Sequence, residues 1–181
     1  MKHPNTTTRT GWAVCILVLL CVGITAPAFA SDPASERKAV SDFTLKDLKG
    51  KNVKLSDHKG SVVAINFWAT WCKSCLKELP HFQGFYEKHK KEGFVVLAIT
   101  TDGPETLPEV RTLVKRKRWK MPILLDSDGA LSAILNPKGT QPFTMLIDRS
   151  GRLVGEYEGF AKGDEKKYAK HIQSLLAESS Q

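Results

Sequence analysis

The chain has 181 residues and a formal net charge of +8, with 41% hydrophobic and 25% charged residues. Removing Lys2 and Arg9 from its 27 Lys and Arg residues leaves 25 cations against 19 acidic residues. Only residues 115–118 form a dense basic run, and no aromatic residues are interleaved with it, so we exclude nucleic-acid binding. Such a run is typical of a solvated helix face; the alternatives are contact with an acidic partner surface or with anionic lipid headgroups.

The first 30 residues have the features of an export signal. Lys2 and Arg9 supply a positive start, an apolar stretch follows, and Ala28-Phe29-Ala30 is a small-x-small cleavage site. The alternative is an uncleaved membrane anchor, because the uncharged stretch after Arg9 is long enough to span a bilayer. Either interpretation places the folded part in the periplasm or another compartment outside the cytoplasm.

The segment that follows the signal is polar and then becomes regular. Residues 31–40 carry a proline and mixed charge, which predicts a flexible leader, and residues 41–181 are predicted to form one domain. Apolar residues on both sides of Lys49-Gly50-Lys51-Asn52 predict a small hairpin. Residues 62–68 form an apolar run, typical of a central strand that is covered on both faces.

Directly after that strand the chain carries Cys72-Lys73-Ser74-Cys75, at the start of a helical pattern. The two other cysteines, Cys15 and Cys21, lie in the predicted signal. A CxxC pair at a strand-to-helix junction is typical of thiol–disulfide exchange. Backbone N–H groups and the positive end of the helix dipole lower the pKa of a thiol there. We therefore expect Cys72 to be the attacking thiol and Cys75 to resolve the mixed disulfide.

Two other roles for the pair are disfavoured. A structural disulfide across three residues closes a very small loop and removes little entropy from the unfolded chain. A zinc site would need a second pair of ligands, and the five histidines are not suitably spaced. The sequence thus predicts a redox-active Cys72–Cys75 disulfide, with neither a metal nor a bound cofactor.

The rest of the chain alternates strands and helices and closes with a hairpin, which predicts an α/β domain with a mixed sheet. The expected elements are a helix at 72–91 with Pro80 inside it, a strand at 94–100, a helix at 108–119, a strand at 123–125, a helix at 130–135, strands at 143–147 and 153–157 around a turn, and a helix at 165–176.

Three segments resemble thioredoxin-fold proteins: Trp71-Cys72-x-x-Cys75, Glu78-Leu79-Pro80, and Pro-Phe-Thr-Met-Leu-Ile-Asp at 142–148. More narrowly, residues 41–178 resemble the exported TlpA/ResA-like thiol–disulfide oxidoreductases. The export signal, the N-terminal hairpin and a strand–helix insertion between about Thr101 and Asp126 carry this narrower resemblance. It implies a thioredoxin fold, protein-disulfide reductase activity on client proteins, and a membrane thiol carrier as the electron donor.

Glu78 lies three residues after Cys75, on a helical face that also carries Leu79 and Phe82. We expect it to be half buried, with a raised pKa, and to accept the proton of Cys75. The resemblance also implies a functional glutamate here; the alternative is an exposed helix acid stabilised by the dipole. Asn66 departs from cytoplasmic thioredoxins, which carry a proton-accepting aspartate there. An amide cannot accept that proton, so the task passes to Glu78 or to water.

Pro142 matches the cis-proline that lies against the dithiol in this fold. A cis bond there would expose the backbone of Gln141 as an edge to which a substrate peptide can pair; the alternative is a trans turn proline. Trp68 and Trp71 are expected to pack over the dithiol and shape its rim, although a plain core position suits Trp68 equally. Trp71, Gln141 and Pro142 are therefore the predicted substrate-binding residues.

The leading functional hypothesis is an exported reductant. The resemblance implies that its clients would be disulfide-bearing proteins of cytochrome c maturation or of metal-site assembly. No histidine lies between the cysteines to stabilise the thiolate, which favours a reducing potential. The alternatives are a disulfide donor, a thiol peroxidase and a non-catalytic binding module. A peroxidase would need a Thr-x-x-Cys arrangement, whereas Thr70 precedes Cys72 by two residues.

Overall fold

The computed structural model describes residues 37–178. The predicted signal or anchor at residues 1–30 and most of the predicted leader lie outside this range. Within it, no helix is both long and apolar enough to cross a membrane.

In the described part of the chain, seven strands form one mixed sheet in the order β2-β1-β5-β4-β3-β6-β7. The central strands β3, β4 and β5 are parallel, and the other neighbours are antiparallel. The strands are β1 (Thr44–Asp47), β2 (Asn52–Lys54), β3 (Val62–Trp68), β4 (Phe94–Thr100), β5 (Ile123–Leu125), β6 (Phe143–Ile147) and β7 (Leu153–Glu158). This arrangement confirms the predicted α/β class with a mixed sheet.

Residues 37–178 also contain four α-helices: α1 (Cys75–His89), α2 (Leu107–Lys117), α3 (Ala130–Leu135) and α4 (Asp164–Ala177). The prediction for α1 was too long at its start, because residues 73–74 form a turn in front of the helix. The carbonyl of Cys72 nevertheless accepts a bond from the N–H of Leu76, so the turn leads directly into the helix. After His89 a short 3-10 turn precedes Gly93, whose φ of 82° suits glycine and ends the helical segment.

Both faces of β3 are covered, as its apolar sequence predicted. Val62, Ala64 and Trp68 belong to a buried cluster that contains residues of α1, α2 and α4. Their neighbours Val63 and Ile65 belong to a second cluster, on the other face, with residues of α3 and of the segment after β2. Since side chains alternate along a strand, β3 anchors both layers of the core.

The predicted insertion between Thr101 and Asp126 contains α2 and β5. Strand β5 pairs in parallel with β4 and antiparallel with β1, so it attaches the N-terminal hairpin to the sheet. Helix α2 lies on the same face as α1, where Val110 and Leu113 are buried in the first cluster. The insertion therefore places a second helix beside the one that carries the dithiol.

The described part of the predicted leader hydrogen-bonds to the β6–β7 turn. The N–H of Val40 donates to the carbonyl of Gly151, and the N–H of Leu153 donates to the carbonyl of Lys38. Arg37 lies 3.2 Å from the carboxylate of Asp148. The chain thus makes sheet-like contacts just before residue 41.

Candidate active site

Cys72 and Cys75 form a disulfide where the chain passes from β3 into α1. Cys75 is completely buried, whereas Cys72 retains 5% of its surface. The N–H of Cys75 donates to the sulfur of Cys72 at 3.2 Å, and the hydroxyl of Ser74 lies 3.4 Å from that sulfur. The more accessible sulfur is therefore also the one that faces backbone and hydroxyl donors at the helix N-terminus.

Asp102 holds the loop that leads into the dithiol. Its carboxylate accepts bonds from the N–H of Thr70 at 2.9 Å and from the hydroxyl of Thr70 at 2.6 Å. The hydroxyl of Thr100, at the end of β4, donates to the same carboxylate. Asp102 is almost fully buried, so these bonds replace the solvation that a charged group loses. Sequence reasoning missed Asp102, although a buried strand that ends in Thr-Thr-Asp beside β3 could have indicated it.

Glu78 lies at the centre of a buried polar network. The amide of Asn66 donates to Oε2 of Glu78 at 2.6 Å, and the hydroxyl of Tyr168 donates to Oε1 at 2.7 Å. Thr144 accepts a bond from the same Asn66 amide at 2.8 Å and lies 3.5 Å from Oε1. The network joins β3, α1, β6 and α4, which are distant in sequence.

Burial raises the pKa of Glu78 to about 7, and the hydrogen bonds from Tyr168, Asn66 and Thr144 oppose that rise without cancelling it. The sequence-based expectation of half burial was wrong, because Glu78 has no exposed surface. Tyr168 and Thr144 approach it from segments 90 and 66 residues later in the chain, which local spacing does not indicate. The alternative of an exposed helix acid is excluded.

The peptide bond between Gln141 and Pro142 is cis. Phe143 pairs with Phe67 in the antiparallel β3–β6 register. Pro142 is the residue before Phe143, so it lies near the end of β3 at which the dithiol loop begins. The amide of Gln141 donates to the hydroxyl of Thr101 at 2.6 Å. Gln141 is half-buried and Pro142 is buried at this edge.

The two tryptophans near the dithiol have different environments. Trp71 is 69% exposed and lies at the surface next to Cys72. Trp68 is fully buried, and its ring meets Trp119 edge-on with 5.6 Å between centroids. Trp68 shares the core cluster with both cysteines, so it is a core residue and does not shape the rim of the site. Among residues 37–178, no three His, Cys, Asp or Glu side chains are grouped as metal ligands.

The chain is similar to known thiol–disulfide oxidoreductases. Residues 37–156 match the AhpC/TSA family model. The thiol-disulfide oxidoreductase ResA of Bacillus thuringiensis subsp. konkukian (strain 97-27) is 37% identical over 153 residues, which cover 81% of this chain and 86% of that protein.

Solved structures agree with this match. A candidate thiol:disulfide interchange protein DsbE from Chlorobium tepidum superposes with a TM-score of 0.72 at 29% identity, covering 78% of this chain and 97% of that one. The pneumococcal exposed lipoprotein thioredoxin Etrx1 from Streptococcus pneumoniae strain TIGR4 gives 0.63 at 29% identity, covering 75% and 100%. Together with the disulfide at the start of α1, these similarities show that the chain belongs to the ResA-like thiol–disulfide oxidoreductases, within the AhpC/TSA family and with a thioredoxin fold.

Proposed function

We propose that this protein is an exported reductase of client disulfides and that the Cys72–Cys75 pair is its complete redox centre. The observation that carries the proposal is the asymmetry of the pair. Cys72 retains some exposure and faces hydrogen-bond donors, whereas Cys75 is buried one turn before a carboxyl group of raised pKa.

The reaction has two exchange steps. In the reduced protein the Cys72 thiolate attacks one sulfur of the client disulfide, a bond forms between Cys72 and the client, and the other client sulfur leaves as a thiolate. Cys75 then loses its proton and attacks the sulfur of Cys72, which releases the second client sulfur. The client gains two electrons and this protein becomes the disulfide. Backbone N–H groups and the helix dipole stabilise the Cys72 thiolate.

Glu78 is the proposed proton acceptor for Cys75. Its raised pKa makes the carboxylate a stronger base than an ordinary glutamate, and it ionises near neutral pH. Asn66, where cytoplasmic thioredoxins have the acidic residue, donates a hydrogen bond to Glu78. Asn66 therefore orients the carboxylate that takes over the proton transfer.

Trp71, Gln141 and Pro142 are the proposed binding residues for the client backbone around the disulfide. Trp71 offers an exposed aromatic surface next to Cys72. Gln141 and Pro142 precede β6 at the same end of the sheet, and Thr101 fixes the side chain of Gln141. An extended client segment can pair with backbone there while its disulfide lies over Cys72.

The sequence between the cysteines supports the proposed direction of electron flow. Lys73 and Ser74 provide no imidazolium to stabilise the thiolate strongly, which supports a reducing dithiol. A membrane thiol carrier would re-reduce it outside the cytoplasm, after export through residues 1–30 as a signal or an anchor. Clients in cytochrome c maturation or metal-site assembly fit this role, and similarity to an exposed lipoprotein thioredoxin supports the location.

A trapping experiment tests the reductase assignment. In cells that produce the Cys75→Ala variant, clients should accumulate as mixed disulfides with Cys72, because the resolving thiol is absent. The Cys72→Ala variant should trap none and is the matched control. Mass spectrometry of the adducts identifies the clients, and equal trapping by both variants would contradict the assigned roles.

A further inference from the structure

We propose that the groove between α1 and α2 binds a client segment that presents an acidic residue next to an apolar one, close to the disulfide to be reduced. This inference rests on the proposed reductase function and names the class of client that the same site selects.

The groove begins at the dithiol loop. Its cavity of about 360 Å³ is lined by Thr70, Leu76, Pro108, Glu109, Thr112, Leu113 and Arg116. Thr70 is fixed by Asp102 and precedes Cys72 by two residues. Leu76 follows Cys75 in the first turn of α1. A client whose disulfide lies at Cys72 can therefore extend directly into the groove.

Part of the groove is apolar. Leu113 is 6% exposed, Leu76 is half-buried, and Pro108 contributes an exposed ring from the first turn of α2. Trp71, the exposed aromatic residue beside Cys72, lies next to Thr70 in the chain. These residues can cover an apolar client side chain of modest size.

The charge around the groove is mainly positive. Arg116 lines it, and two further lysines are exposed nearby in the chain: Lys73 in the turn before α1 and Lys77 in the first turn of α1. In the part of the chain that the structure describes, none of these three cations forms an ion pair. Glu109 is the acidic residue of the lining. The exposed cations Lys73, Lys77 and Arg116 outnumber Glu109, the carboxylate in the lining, and can attract an acidic client segment while repelling a basic one.

The shape favours a protein client over a membrane. A bilayer surface is broad and would contact the whole basic run at residues 115–118, whereas Arg116 alone among these residues lines the groove. The groove is lined by Thr70, two residues before Cys72, and by Leu76, directly after Cys75, so one client segment can occupy the groove while its disulfide reacts. The basic run thus contributes to client selection through Arg116.

Peptide kinetics tests the inference. Disulfide-bonded peptides that differ only in one flanking residue, Glu, Gln or Lys, are reduced by the reduced protein at low ionic strength. We expect the Glu peptide to react roughly tenfold faster than the Lys peptide, with Gln between them. Since the Debye length is about 3 Å in 1 M salt, the preference should largely disappear there.

Variants locate the preference. Arg116→Glu should abolish or reverse the ratio of Glu-peptide to Lys-peptide rates, and Arg116→Gln should give an intermediate ratio. Lys170→Glu is the matched control, because it changes the net charge equally from an exposed position on α4 and should keep the ratio. An unchanged ratio in both Arg116 variants would overturn the inference. The inference would also fail if the Arg116 variants kept the peptide preference but bound anionic phospholipid vesicles less tightly than the wild-type protein, because Arg116 would then serve membrane contact.

A neutral small disulfide, bis(2-hydroxyethyl) disulfide, separates this inference from the proposed function. If the wild-type protein reduces it and all three peptides equally well, the reductase function stands and the groove proposal fails. If the protein reduces none of the four substrates, the reductase function itself fails.

Discussion

The hydroxyl of Tyr168 on α4 donates a hydrogen bond to Oε1 of Glu78 on α1, at 2.7 Å and across 90 residues of sequence. Both side chains are buried. Burial is the largest influence on the pKa of Glu78 and raises it to about 7, and the bond from Tyr168 is the strongest opposing effect. Burial, together with the charge of Glu78, raises the pKa of Tyr168 above its ordinary value, so the hydroxyl remains a donor throughout the physiological range. Tyr168 therefore positions the proposed proton acceptor and lowers its pKa against the effect of burial.

Replacing Tyr168 with phenylalanine should raise the pKa of Glu78 further, because the carboxylate loses a donor while it stays buried. The pH–rate profile of disulfide exchange should move to higher pH, and the free energy of unfolding should fall by about 1–2 kcal/mol. Tyr157→Phe is the control, since the hydroxyl of Tyr157 lies 2.7 Å from Nδ1 of His171 and makes no bond to Glu78. A profile that moves equally in both variants would show that Tyr168 acts only through packing.

Replacing Glu78 with glutamine should slow resolution of the mixed disulfide by about 100-fold near pH 7, since no carboxylate remains to accept the proton of Cys75. Single-turnover kinetics with a fluorescent disulfide peptide can separate attack by Cys72 from release by Cys75. Only the second step should change. Glu87→Gln removes an exposed carboxyl from the same helix and should leave both steps intact. Equal release rates in the two variants would refute the proton-acceptor role.

Glu78 should also make stability depend on pH. Its pKa is higher in the folded state, about 7, than its ordinary value of 4.5, so the folded protein binds more protons between these values. The stabilising contribution is complete below about pH 4.5 and is lost as pH rises through about 7, with a total change of about 3 kcal/mol. Urea unfolding of the oxidised protein at several pH values measures this slope. The slope between pH 4.5 and 7 should be smaller in Glu78→Gln, and an identical slope would contradict the shift.

Local sequence patterns were sufficient for much of this fold. The apolar run of β3, the glycine turn of the first hairpin and the CxxC pair each lie within a short segment, and the structure has the corresponding elements there. The carboxylate network could not be found this way, because Thr144 and Tyr168 reach Glu78 only after the sheet and α4 have assembled. The same reason explains why the burial of Glu78 was underestimated.

Asp102, which the sequence analysis did not single out, also yields a prediction. Asp102→Asn replaces one carboxylate oxygen with an NH2 group, which donates and does not accept. The hydroxyls of Thr70 and Thr100 donate to different oxygens of Asp102, so one of these two bonds is lost and the dithiol loop should loosen. We expect a loss of about 1–3 kcal/mol in unfolding free energy and slower exchange at Cys72. Denaturant unfolding and alkylation of the reduced protein measure the two effects.

Asp126→Asn is the matched control for this loop. Asp126 is another buried carboxylate, and it accepts bonds from the N–H groups of Leu131 and Ser132 at the start of α3. Its replacement should lower stability to a similar degree without altering exchange at Cys72. If both variants slow exchange equally, the effect of Asp102 is one of stability and not of loop position.

The reduction potential of the Cys72–Cys75 pair tests the reductase assignment most directly. The protein is equilibrated with defined mixtures of reduced and oxidised glutathione, and its thiols are trapped and counted. We expect roughly −200 mV or lower, near thioredoxin, because no histidine between the cysteines stabilises the thiolate. A value near that of the strong oxidants, about −120 mV, would contradict the assignment and make the same site a disulfide donor.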